Sequence, residues 1–209
     1  MKTQDHKRYP KKLTKFKTNN YIPGEHYSND REWDHFTMHV PVWTQVLNKF
    51  FKGKKNLKFL ELGTGNGLCS NFLLDTYDCK VDTVDLQNIR NIKVFEKEYS
   101  VISTENLKPF IDSGRCKFHQ MSTKEFLLDN RDKVYDFIYV DASHICDDVL
   151  TDAILSFDLL KKDGLMIFDD YYQDSCKIGI NSFINCFVEK IKLLHSVPAP
   201  QIMMRKINE

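Results

Sequence analysis

One stretch of the chain, Lys58-Phe59-Leu60-Glu61-Leu62-Gly63-Thr64-Gly65-Asn66-Gly67-Leu68, limits the available folds more than any other. An apolar strand runs straight into three alternating glycines and then into a helix. Glycine takes up positive φ without a Cβ clash and lets backbone approach a ligand closely, so this pattern predicts a turn shaped around a bound nucleoside. The dinucleotide fingerprint G-x-G-x-x-G would need its third glycine at position 68, which is leucine. The spacing is instead Glu61-x-Gly63-x-Gly65-x-Gly67, and an ordinary tight strand-to-helix connection is the plain alternative.

Around this unit the chain reads as alternating strands and helices. A helix is expected over Leu68–Thr76 and a strand over Lys80–Asp85, then helical pieces at Ile92–Tyr99 and Asn106–Asp112 and a strand over Arg115–Gln120. Ser122 suits a helix N-cap with Glu125 completing a capping box. Val134–Val140 is a near-continuous apolar run, as a central parallel strand covered on both faces requires. A helix from Cys146 to Leu160 follows, stopped by Lys161-Lys162-Asp163-Gly164 before a short strand Leu165–Phe168. Gly179–Lys190 reads as a helix, and Lys192–Val197 with Ile202–Ile207 as a terminal antiparallel pair around Pro198-Ala199-Pro200.

Upstream, residues 1–20 form a lysine-rich tail, expected to be mobile, with a phosphate-touching arm as the alternative. Residues 21–56 form a helical cap in which Asp34–Phe51 is amphipathic, and residues 57–209 are the main domain. His35 and His39 stand four apart as two metal ligands could, though a packed or solvent-facing pair is the simpler reading. At 209 residues the chain fits one α/β domain, and a net charge of +1 provides no global field toward nucleic acid or membrane. Six cysteines without a C-x-x-C pair are cytosolic usage, and no apolar run is long enough to span a bilayer. A cytoplasmic protein with no membrane partner is expected, with homo-oligomerisation left open.

The candidate chemistry lies at the carboxyl ends of strands. In a doubly wound sheet the ligand sits outside those ends, so Asp85 is placed to accept both ribose hydroxyls of a nucleoside. Asp141, Asp169 and Asp170 end two strands expected to be neighbours. Three carboxylates crowded together raise one another's pKa unless a cation joins them, and hard oxygen ligands suit Mg2+ or Mn2+. His144, three residues beyond Asp141, is the candidate general base for a hydroxyl nucleophile.

The acid–glycine motif resembles the first motif of the class I S-adenosylmethionine-dependent methyltransferases, a resemblance that covers roughly Leu57 to the C-terminus. It implies a Rossmann-like α/β fold: a seven-stranded, mostly parallel sheet with an antiparallel last strand and helices on both faces. It also implies S-adenosylmethionine as cofactor, contacted by Glu61, Gly63, Thr64, Gly65, Gly67, Asp85, Ser122 and Asp141. Many relatives carry an acid where this chain has Met121, which puts the contact to the adenine amino group in doubt.

The pairing of Asp141-x-x-His144 with Asp169-Asp170-Tyr171 resembles the metal-dependent O-methyltransferases that act on macrolide sugars. That resemblance implies Asp141, Asp169 and Asp170 as ligands of Mg2+, His144 as the base, and a sugar or glycan hydroxyl as acceptor. A catechol or other small phenol is the alternative acceptor. A nicotinamide-dependent oxidoreductase and a non-catalytic cofactor-binding module are the alternatives from other classes. Nucleic acid is disfavoured as a partner, because Asp169-Asp170 stands where the RNA ribose methyltransferases of this fold have a lysine.

Overall fold

The computed structural model describes residues 36–86, 93–94, 97–194 and 201–208. The tail and the start of the helical cap lie outside them, Asp34 and His35 included. The chain divides into two compact units between Gly53 and Lys54. In the first, a short 3-10 turn, Thr37–His39, leads into α1, Val40–Phe51, with Pro41 in the first turn, where a missing N–H costs nothing. Phe36, Val40, Trp43, Leu47 and Phe51 are buried at helical spacing, and the Phe36 ring meets Trp43 edge-on at 5.0 Å. His39 is buried, its ring 6.5 Å from that of Phe36, as the packed reading of this histidine expects.

The second unit is built on strands β1 (Leu57–Leu62), β2 (Cys79–Asp85), β5 (Cys116–Gln120), β6 (Tyr135–Val140), β7 (Leu160–Phe168), β8 (Ile191–Leu193) and β9 (Ile202–Lys206). Two further two-residue strands, β3 (Lys93–Val94) and β4 (Lys97–Glu98), pair antiparallel apart from the main sheet. The main sheet has the order β5-β2-β1-β6-β7-β9-β8. All pairs are parallel except those made by β9, which runs against both β7 and β8. This is the sheet expected from the sequence.

Helices α2 (Leu68–Thr76), α3 (Tyr99–Asp112), α4 (Thr123–Asp129), α5 (Cys146–Leu159) and α6 (Asp174–Cys186) complete the unit. Strand side chains alternate between two buried faces. Leu60, Leu62, Val84, Ile138, Val140, Met166 and Phe168 join α4, α5 and α6 in one apolar core. On the opposite face Phe59 stacks edge-on against Phe137 and Tyr77, and Tyr77 against Phe72 of α2. Four aromatic rings around α5, α6 and β7, those of Phe157, Phe168, Phe183 and Phe187, close the first face.

Three expectations are corrected. Of the two expected helical pieces, Asn106–Asp112 is found as the second half of α3, which starts earlier, at Tyr99, whereas the described part of the piece at Ile92–Tyr99, residues 93–94 and 97–98, is the β3–β4 pair, where the apolar spacing is weak. Helix α5 ends at Leu159, within one residue of the expected end, but Lys161–Gly164 is no separate stop: it lies within β7, whose register against β6 shifts between Tyr135 and Phe137. The left-handed residue there is Asp163 (φ 67°), and Gly164 is required for space, because a Cβ on it would meet the Lys161 carbonyl oxygen at 2.8 Å. Finally, α6 begins at Asp174 and not at Gly179, which sits mid-helix where a Cβ would lie 2.7 Å from the Cys146 carbonyl. Gly179 thereby lets α6 pack tightly on the start of α5.

The sheet positions the candidate site. Strands β2 and β5 lie to one side of β1 and β6 and β7 to the other, so the crevice between the ends of β1 and β6 is the point where strand order reverses. Sheet hydrogen bonds continue past the strands. Gly63 N–H donates to Val84 O at 2.9 Å, Asp141 N–H to Leu62 O at 2.8 Å and Asp169 N–H to Val140 O at 3.1 Å. Gly63 has φ +95°, and a Cβ on it would fall 1.9 Å from the Asp141 carbonyl oxygen. Gly63→Ala is therefore expected to cost about 2 kcal/mol or more, the sum of a disfavoured φ and a backbone clash with no flexible neighbour to yield. A denaturant midpoint within error of wild type, at unchanged slope, would contradict this account.

Candidate active site

The glycine turn is held from several sides. Gly67, at φ +81°, is the N-cap of α2, and its N–H donates to Thr64 O at 2.8 Å. Gly65 N–H donates to Asp85 Oδ2 at 2.9 Å, so the acid ending β2 fastens the turn that ends β1. Beneath the turn Glu61 is buried, with Oε2 accepting from Thr83 Oγ1 at 2.6 Å and from the Ser70 hydroxyl. Thr64 Oγ1 lies 2.7 Å from Thr83 Oγ1, and since Thr83 gives its proton to Glu61, Thr64 is the donor there.

Burial drives the Glu61 carboxyl up to about 7, against the lowering effect of the Ser70 and Thr83 hydrogen bonds. Ser122 caps α4 with the full capping box anticipated: its Oγ accepts from Glu125 N–H at 3.2 Å while Glu125 Oε2 accepts from Ser122 N–H at 3.2 Å.

At the ends of β6 and β7 a second group forms. One ligand atom each from Asp141, His144 and Asp170 lie within 4.8 Å of one another. His144 Nε2 stands 2.7 Å from Asp170 Oδ2, and Nδ1 is 3.4 Å from the Gln173 amide. Asp170 has φ 54°, a left-handed conformation aspartate tolerates better than most residues, at a turn closed by Gln173 N–H donating to Asp170 O at 2.8 Å. A small cleft lined by Asp141, Ala142, His144, Asp169, Asp170 and Cys176 opens here.

The acids differ in state. Loss of water, followed by the charges of Asp169 and Asp170, raises Asp141 well above the usual carboxylate range. Burial also works to raise Asp170, but the hydrogen bond and charge of His144 outweigh it and hold Asp170 below its ordinary value. Asp169 lies outside the converging group. Its Oδ2 accepts from the buried Tyr139 hydroxyl at 2.5 Å and the Gln201 amide at 3.3 Å, and its Oδ1 from the Asp170 N–H at 2.8 Å. Tyr139 and Gln201 carried no signal in the sequence: one is an aromatic in an apolar strand, the other follows a proline-rich connection.

The residues present fit the two groups the resemblance implies. The glycine turn comes so close to the end of β6 that a Cβ would fill the gap, and the acidic side chains supply hard oxygen donors where like charges otherwise repel.

The model of a methyltransferase domain matches residues 60–171, more than half of the 209-residue chain. The chain belongs to this methyltransferase family. It is a class I S-adenosylmethionine-dependent methyltransferase, with the sheet order and antiparallel β9 described above. Among curated proteins none matches its sequence. The methyltransferase is similar in fold to a protein of Clostridium thermocellum provisionally assigned as an rRNA methylase, with TM-score 0.64, 14% identity, and 81% of this chain and 96% of that one covered. It is also similar to a provisionally assigned O-methyltransferase of Klebsiella pneumoniae, with TM-score 0.62, 14% identity and 79% of each chain covered. MycE methyltransferase from the mycinamycin biosynthetic pathway, solved in complex with Mg and SAH, matches with TM-score 0.60 and 14% identity over 93% of this chain and 54% of that one. No helix among the described residues is long and apolar enough to cross a membrane.

The Glu61 carboxyl gives a test of this packing. Its folded pKa of about 7 lies above the ordinary 4.5. Between these values the folded protein keeps a proton that the unfolded chain has lost, so stability falls as pH rises through that window and stays lost above it. Glu61→Gln, neutral throughout, is expected to gain on wild type by up to roughly 3 kcal/mol between pH 5 and 8. A stability difference that stays flat with pH would place Glu61 in contact with water.

Proposed function

We propose that this methyltransferase transfers the methyl group to a hydroxyl of a sugar or glycan, with a divalent ion, Mg2+ or Mn2+, at the ends of β6 and β7. The observation that carries this reading is the meeting of Asp141, His144 and Asp170 beside the glycine turn. S-adenosylmethionine supplies a methyl group on a sulfonium, already a good leaving group. A divalent ion supplies Lewis acidity that lowers the pKa of an acceptor hydroxyl. A vicinal diol is the acceptor chemistry that suits such a site.

The protein's own residues do the rest. Asp85 and the turn at Gly63–Gly67 bind and orient the donor, with Asp141 at the boundary between donor and acceptor. Asp141 and Asp170 are the carboxylates offered to the ion. Asp169 adds its charge and fixes the following peptide through the Asp170 N–H. Asp170 can serve two partners, one oxygen on His144 and the other toward the ion. His144, with its side chain 46% exposed, accepts the acceptor's proton and passes it to solvent. Nδ1 is the nitrogen this reading uses, since Asp170 holds Nε2 at 2.7 Å while the Gln173 amide stands 3.4 Å from Nδ1 and gives way to the acceptor hydroxyl. The carboxylates also oppose a phosphate backbone in the crevice, in favour of a small or glycan acceptor over nucleic acid.

His144→Ala is expected to lower turnover at least 100-fold while changing the affinity for S-adenosylhomocysteine by less than threefold. A metal requirement shifted tenfold or more in this variant would make His144 a ligand and not the base. Asp170→Asn is expected to raise the Mg2+ concentration for half-maximal activity at least tenfold. Activity that survives EDTA in the wild type would remove the ion from the reaction. Assay against monosaccharides, oligosaccharides and catechols tests the acceptor, and transfer to a catechol alone would replace the sugar.

A further inference from the structure

The residues that fasten the glycine turn do not all come from the strands beside it. Asn106, in the middle of α3, donates from Nδ2 to the Asn66 carbonyl at 2.8 Å, 40 residues away in sequence. At the same residue the α3 backbone accepts in return: Asn71 Nδ2 of α2 donates to Asn106 O at 2.9 Å. The next α3 residue, the fully buried Leu107, lies against Gly67, where a Cβ would come within 3.0 Å of its Cγ. One face of α3 is therefore the wall of the turn between β1 and α2.

This contact controls a single peptide plane. In a trans peptide the C=O of Asn66 and the N–H of Gly67 point in opposite directions. With the carbonyl turned to Asn106, the Gly67 N–H faces Thr64 O, the 2.8 Å bond that closes the turn. Rotating this peptide would break both bonds, and because Gly67 is glycine its own φ offers little resistance to such a rotation. The turn needs glycines for close approach to a ligand, and glycines leave it soft. Asn106 supplies stiffness from outside.

We propose that Asn106 is a positioning residue for the methyl donor: it holds the Asn66–Gly67 peptide in the ligand-binding orientation before the donor arrives, so that donor binding need not order the turn. The proposal rests on the assignment of the glycine turn to S-adenosylmethionine and is independent of the acceptor and the ion. It also gives α3 a task that links the two donor contacts, since the chain leaves β2 at Asp85 and returns through α3 to the turn that Asp85 fastens.

Calorimetric titration with S-adenosylhomocysteine tests it, with the apo proteins compared by thermal unfolding and by hydrogen exchange at the Gly67 amide. Asn106→Ala, and the isosteric Asn106→Asp that lacks the donor, are expected to raise Kd five- to tenfold, the effect of losing one neutral hydrogen bond. Exchange at Gly67 is expected to accelerate by a similar factor in the apo protein. In steady state the KM for the donor rises with Kd, while kcat at saturating donor and the KM for the acceptor stay within twofold. Asn106→Gln, which keeps the amide, is expected to recover most of the affinity, and Lys108→Ala on the exposed side of α3 to match wild type. Unchanged Kd in a folded Asn106→Asp, or an Asn106→Gln as weak as the alanine variant, would overturn the proposal, as would loss of cooperative unfolding in all three Asn106 variants. Failure of the wild type to bind S-adenosylhomocysteine would instead remove the donor assignment beneath it.

Discussion

The close approach of Gly63 to the Asp141 carbonyl is the constraint on which the rest of the structure depends. Two adjacent parallel strands, β1 and β6, end in register, and the chain must leave both on the same edge of the sheet. With a side chain at Gly63 the two exits would collide, and the sheet could not bring its glycine turn next to its acids. The continued ladder from Val84 through Gly63, and from Leu62 to Asp141 and Val140 to Asp169, then sets three strand-end positions in a row at spacings dictated by strand separation. Geometry that a reaction needs within fractions of an ångström thus rests on backbone hydrogen bonds, which are among the least deformable contacts in the molecule.

Charge is distributed along that row with a purpose for each acid. Glu61 is sunk beneath the turn and acts as a hydrogen-bond acceptor for Ser70 and Thr83. Asp85 spends one oxygen on the turn itself. Asp169 is tied to Tyr139, Gln201 and the neighbouring peptide, while Asp141 and Asp170 face the cleft with His144. The elevated Asp141 and the depressed Asp170 follow from these surroundings: one is desolvated among like charges, and the other has an imidazole partner. Two carboxylates close together are thereby given opposite tendencies, which is how neighbouring acids come to perform different tasks.

Much of this was legible in the residues. Helix α2 begins and ends where the glycines and Thr76 said it would, the capping box at Ser122 and Glu125 is fully formed, and the apolar run before Asp141 is a central strand. These features are local: a glycine, a cap or a hydrophobic run acts on its immediate neighbours. Between Asp85 and Cys116 only the Asn106–Asp112 half of α3 is legible, because that helix is held by contacts to α2 and the glycine turn more than by its own pattern, and propensity there is a weak guide. The end of α5 is legible to within a residue, but the strand character of Lys161–Gly164 is hidden for a related reason. A glycine that is needed for space and one that is needed for positive φ look the same in a sequence.

The sequence by itself determined the strand–turn–helix around Gly63, the order of α and β units, and the positions at which acids would stand at strand ends, because each follows from periodicity and backbone conformation over a few residues. Only the tertiary structure decided which of those acids face one another. Asp169 and Asp170 are adjacent in the chain, yet one is turned to Tyr139 and Gln201 and the other to His144, through a left-handed φ at Asp170 that the sequence does not announce. Likewise nothing near Asn66 foretells Asn106. Such pairings are fixed by how the sheet orders its strands and how α3 lies on α2, and those depend on the whole core being packed at once.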